Sequence, residues 1–97
     1  MVNALMLINT ERTKVNDVAD ALIEIDGVTE VYSVAGKYDL IALLRTKNND
    51  EMADLVTKGI MEVDGIIRSE TLVAFRTVTK FDLATLFDLD TEGAARN

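Results

Sequence analysis

Ile25-Asp26-Gly27-Val28 recurs as Val63-Asp64-Gly65-Ile66, and this echo organises the chain. In each copy an Asp-Gly pair follows a helical run and precedes a strand-like run. Glycine adopts the left-handed conformation that often closes a helix. Upstream of the first copy, Val15, Val18, Ala19, Leu22 and Ile25 recur at spacings of three and four. They form one apolar stripe, with Asn16, Asp17, Asp20 and Glu24 on the wet side. Upstream of the second copy, Met52, Leu55, Val56, Gly59, Ile60 and Val63 do the same. Asn48 is a natural cap for that second helix, and Glu51 stands three residues on, where its side chain can reach back.

Strands fill the spaces between. Residues 2–9 are apolar apart from Asn3 and Asn9 and read as a buried strand. The turn Thr10-Glu11-Arg12-Thr13 leads into the first helix. Residues 28–35 form a second strand, Gly36-Lys37 a hairpin turn, and 39–46 a third strand. A long last strand runs from Ile66 to about Val78. The order is β-α-β-β-α-β, two copies of a split β-α-β unit. The expected fold class is α+β, a ferredoxin-like βαββαβ sandwich with both helices on one face of a four-stranded antiparallel sheet.

In such a sandwich the second sheet face should be polar if the chain stands alone. Here Ala4, Met6 and Ile8 alternate with Leu5 and Leu7, and Leu40, Ala42 and Leu44 alternate with Ile41 and Leu43. Both faces are apolar, so something must cover the second. The expected cover is another copy, giving a dimeric α/β barrel or sandwich by sheet-to-sheet packing.

Composition narrows the chemistry. The 97 residues suffice for one domain. With no Cys and no His, the chain cannot assemble a thiol nucleophile or a Ser-His-Asp arrangement. No catalytic residues, no cofactor and no metal site are expected. The carboxylate pairs Asp88 with Asp90 and Asp17 with Asp20 fall short of a calcium loop. A formal net charge of -7 without a basic cluster argues against direct contact with nucleic acid. The longest apolar runs are five residues, against about 20 for a membrane span. The N-terminus lacks the look of a secretory signal, and the expected compartment is the cytoplasm.

Residues 1–80 are expected to form the domain and 81–97 a tail. Phe81, Leu83, Leu86, Phe87 and Leu89 could form the apolar side of a short amphipathic helix. That helix suits either an arm on a neighbouring subunit or a cover on its own domain.

Val34-Ala35-Gly36-Lys37-Tyr38-Asp39 is the most informative stretch for binding. A turn with glycine at its centre exposes backbone N–H groups that can hold a carboxylate. Tyr38 supplies a ring and a hydroxyl, and Asp39 can accept from an ammonium group. The set suits a zwitterion. It equally suits a plain hairpin in which Tyr38 and Asp39 pack locally. Ser69 and Thr71, two residues apart at the start of the last strand, could present two hydroxyls to a polar ligand or be ordinary strand residues.

These features together resemble the C-terminal ligand-binding and oligomerisation domain of the Lrp/AsnC transcription regulators, the RAM domain. The resemblance covers about residues 1–79. It rests on Val18-Ala19-x-x-Leu22, Val28-x-x-Val31, Gly36-Lys37-Tyr38-Asp39-Leu40, Asp64-Gly65-Ile66 and Ser69-x-Thr71. It implies dimers through the sheets, joined into octamers or decamers, and amino-acid effectors bound near the Gly-x-Tyr-Asp loop. Carried over, the ligand-binding residues are Ala35, Gly36, Lys37, Tyr38, Asp39, Ser69 and Thr71. Full-length members carry a helix-turn-helix, whereas this chain begins at the first strand. The resemblance therefore implies a stand-alone RAM protein, and the leading expectation is an amino-acid-responsive oligomer for which helix-turn-helix relatives are candidate partners. Relatives often have Thr where Ala35 stands, which removes a hydroxyl. The rival expectation is an interaction subunit of the same fold that has lost effector binding.

Overall fold

The computed structural model describes residues 1–80. The expected tail helix lies outside the described residues. Four strands, β1 (Val2–Thr10), β2 (Val28–Ser33), β3 (Leu40–Thr46) and β4 (Ile66–Val73), form one antiparallel sheet in the order β2-β3-β1-β4. Helix α1 (Val15–Ile23) joins β1 to β2, and α2 (Asn49–Asp54) joins β3 to β4. This is the expected ferredoxin-like α+β topology. Within one chain the sheet is open and does not close into a barrel.

The local signals act as their chemistry dictates. Asn48 Oδ1 accepts from the Glu51 backbone N–H at 2.8 Å. Glu51 in turn accepts from Lys47 N–H at 3.3 Å, one residue before the expected cap partner. Beyond α2 the helix widens into a π turn over Leu55–Gly59 and tightens to 3-10 over Ile60–Glu62. Met52, Leu55 and Ile60 of the second stripe are buried.

The two echoes interlock. The Gly27 carbonyl accepts from Arg45 N–H at 2.8 Å, and the Gly65 carbonyl accepts from Glu11 N–H at 2.9 Å. Each helix-to-strand junction is thus tied to the end of a strand from the other half. Gly65 has φ 104°, and a Cβ there would lie 2.9 Å from Val18 Cγ2 of α1. A side chain would have no room at this junction.

The core lies between the helices and one sheet face. Met6, Ile8, Leu40 and Ala42 on that face are fully buried with Val18 and Leu22 of α1 and Ile60. Cross-strand pairing sets the other face. Leu5 stands opposite Leu43 and Leu72, and Leu7 opposite Ile41 and Glu70. Leu5 is 38% and Leu72 46% exposed, while Leu7, Ile41 and Leu43 are half-buried. The two-faced apolar pattern is therefore present in three dimensions.

β4 stops at Val73, short of the expected Val78. The reason is the length of its partner. β1 begins at Val2, and one more bond, Ala74 N–H to the Asn3 carbonyl at 2.7 Å, exhausts the ladder.

Candidate functional site

The turn between β2 and β3 sits at the end of the sheet where β1 runs into α1. It is closed by a bond from Val34 N–H to the Asp39 carbonyl at 3.1 Å. Gly36 has φ 131°, a region that L side chains rarely enter. A Cβ built on it meets nothing within 4 Å. Its requirement for glycine is therefore conformational, and its surroundings are open. Ala35, Gly36 and Lys37 are exposed, and Tyr38 and Asp39 half-buried.

Each residue at the base of the turn is tied to the sheet. Asp39 N–H donates to the Ile8 carbonyl at 2.9 Å, and Asp39 Oδ2 accepts from Thr10 N–H at 2.9 Å. The second bond falls at the irregularity in β1 between Asn9 and Thr10, where the pairing with β4 shifts. Asn9 Nδ2 donates to the Lys37 carbonyl at 3.0 Å. Tyr38 reaches across to β4, where its hydroxyl donates to Glu70 Oε1 at 3.0 Å. That bond to a carboxylate, with partial burial, holds the phenol above its ordinary pKa, while the positive charge of Arg68 opposes the shift.

Ser69 and Thr71 are half-buried on β4, opposite Ile8 and Met6. They share the helix side of the sheet. Glu70, between them, faces the open side and is the β4 residue that bonds the turn through Tyr38. Ala35 to Asp39 thus form one cluster, and Ser69 and Thr71 lie around the edge strand from it. Asn9, Thr10 and Glu70 also belong to the cluster. Asn9, like Asn3, interrupts an apolar run in β1, which was its one signal in the sequence. Glu70 had none, because its position depends on the register of β4 against β1.

Three depressions lie elsewhere. One of about 500 Å³ lies between Gly27, Arg45 and Leu55. A second, of about 530 Å³, separates the helices near Lys14, Gly59 and Asp64. The third, about 210 Å³, opens on the uncovered sheet face at Leu5, Leu43 and Ala74. None of these three is lined by the seven expected ligand residues. Among the described residues there is no group of three or more acidic side chains placed to hold a metal ion. No helix among them is long and apolar enough to cross a membrane.

A family model for the Lrp/AsnC ligand binding domain matches residues 3–83. An uncharacterized HTH-type transcriptional regulator of Pyrococcus abyssi is 30% identical over 70 residues, which are 72% of this chain and 47% of that protein. The chain spans about half the length of the curated relatives it matches. Among solved structures, TTHA0845 from Thermus thermophilus is 44% identical with a TM-score of 0.77, covering 82% of this chain and 100% of that one. A feast or famine regulatory protein from M. tuberculosis, complexed with L-methionine, shares the fold at 21% identity and a TM-score of 0.69. That match covers 84% of this chain and 56% of the other.

Proposed function

Because the chain belongs to the Lrp/AsnC ligand-binding domain family, we propose that it binds a free amino acid at the 34–39 turn and relays its level through self-association. The family's domain is a ligand-binding and oligomerisation module, regulatory and not catalytic, so the chain is not an enzyme. On the proposed reading it works in the cytoplasm, makes no direct contact with DNA, and passes its signal to other chains of its kind, including helix-turn-helix relatives.

The observation that carries this reading is the base of the turn. An open glycine with a positive φ stands beside Asp39 and Tyr38, both anchored to the sheet. Backbone N–H groups there can meet a carboxylate, and Asp39 can meet an ammonium group. The L-methionine complex of the M. tuberculosis relative supports an amino acid as the ligand class. The uncovered face around Leu5, Leu7, Ile41, Leu43 and Leu72 supports sheet-to-sheet pairing of two copies. Further assembly to octamers or decamers is part of the same proposal, as are Ser69 and Thr71 as residues that a neighbouring subunit brings to the ligand.

A thermal-shift screen against free amino acids tests the reading. A ligand at about 100 times its Kd adds about 2.7 kcal/mol of stability, a visible shift. A shift with one chemical class, together with a change in assembly by light scattering, is expected. No shift with any amino acid would favour the interaction-subunit reading, for which exposed Ala35 offers no hydroxyl at the turn.

A further inference from the structure

Asn9 is the polar side chain at the turn that the reading above leaves without a role. Its Nδ2 holds the Lys37 carbonyl, but its Oδ1 is sealed from solvent and has no hydrogen-bond donor among the described residues. A buried acceptor in this condition is costly and uncommon, and it calls for a donor from a bound water, ion or ligand, or else stores strain. Arg68 stands directly across the strand pair from Asn9 and does not supply the missing donor. Asp39 flanks the same base of the turn. Its Oδ2 takes the Thr10 N–H, and no bond among the described residues engages its Oδ1.

We propose that Asn9 Oδ1 and the Asp39 carboxylate together receive the ammonium group of the amino-acid ligand, which makes Asn9 a binding residue. The inference rests on the 34–39 turn being the ligand site. An ammonium group carries three donors and needs several acceptors. Asp39 contributes charge and one free oxygen, and Asn9 contributes a neutral oxygen already desolvated. Donor access follows a shift of the turn, whose tip at Ala35, Gly36 and Lys37 is exposed and held to Asn9 through the Lys37 carbonyl. The ligand class is then compounds with a free, protonated α-amino group. The matching 2-hydroxy acids are rejected.

The rival role for Asn9 is a latch that merely holds Lys37. Asn9→Asp and Asn9→Leu separate the two, because both lose the Nδ2 donor but only Asp keeps an oxygen acceptor. The probes are the standard free L-amino acids and the 2-hydroxy analogue of the tightest binder, measured by calorimetry on the full chain. As an acceptor, Asn9→Asp binds the amino acid within about threefold of the unmodified chain, or tighter, while Asn9→Leu loses at least about tenfold. The preference for the amino acid over its hydroxy analogue also shrinks in Asn9→Leu. Equal weakening of both variants, or no weakening in Asn9→Leu, overturns the assignment of Asn9 alone. If the folded, unmodified chain binds no amino acid, the ligand-site reading falls and this inference with it. Should Asn9→Leu fail to fold, the Asn9→Asp comparison and the hydroxy analogue still decide the question.

Discussion

The two faces of the sheet are built from nearly the same residue types and have opposite fates. On the helix side, Met6, Ile8, Leu40 and Ala42 are fully buried. On the other, Leu5 and Leu72 remain 38% and 46% exposed, with Leu7, Ile41 and Leu43 half-buried between them. Apolar composition therefore did not decide which face became the core of the chain. The crossover connections did, by placing both helices on one side. The second face is left as a surface suited to pairing with its own kind.

The largest expected effect comes from the helix side. Ile8→Ala opens a cavity under α1 and should cost about 2–5 kcal/mol in urea unfolding. A loss well below about 1 kcal/mol would mean that the helix layer is far looser than its burial implies.

Next comes the open face. Leu7→Asp or Leu43→Asp places a charge at its centre. The expected outcome is a drop in assembled mass by light scattering with helix and strand content intact by circular dichroism. An unchanged mass would show that this face does not mediate assembly.

The glycines sharpen the same contrast. Gly65→Val drives a Cβ to 2.9 Å from Val18 and keeps the strained φ, so it should lower stability by about 1–3 kcal/mol. Gly36→Val meets open space and suffers only from its conformation, about 1–2 kcal/mol, yet it should abolish amino-acid binding by reshaping the turn. Binding that survives Gly36→Val, or is lost equally in a folded Gly65→Val, would erase the distinction between a packing glycine and a binding one.

The smallest effect is electrostatic and lies on the exposed side of the Gly65 junction. Lys14 Nζ bonds Asp64 Oδ2 at 2.8 Å, which holds the Asp64 carboxyl below its ordinary 3.8 and Lys14 above its ordinary 10.5. Asp64 therefore contributes stability above its unfolded value, lost as pH falls through the folded one. Lys14 contributes stability below its unfolded value, lost as pH rises through the folded one. Both groups are solvent-screened. Lys14→Met should lower the melting temperature slightly near neutrality, where both groups are charged, and leave it nearly unchanged at the acid and alkaline extremes, where the pair is already lost.

Much of this was legible from residue order. The repeated Asp-Gly junctions, the two helical stripes and the alternation in β1 and β3 determine the element order and the two-faced sheet, because 3.6-residue and two-residue periods are local properties of the chain. The turn around Gly36 was legible for the same reason, since a positive φ is a local demand. The partners of that turn were not. Ser69 and Thr71 matched a motif, but the register of β4 on β1 turns them to the helix side and gives Glu70 to Tyr38. Asn9 gained its sealed oxygen only when the turn folded over the end of β1. Such contacts join residues far apart in sequence, and a shift of one residue in register would send each side chain to the opposite face. The chain by itself determined which elements form and that both sheet faces are apolar. Tertiary structure alone decided which side chains meet at the turn.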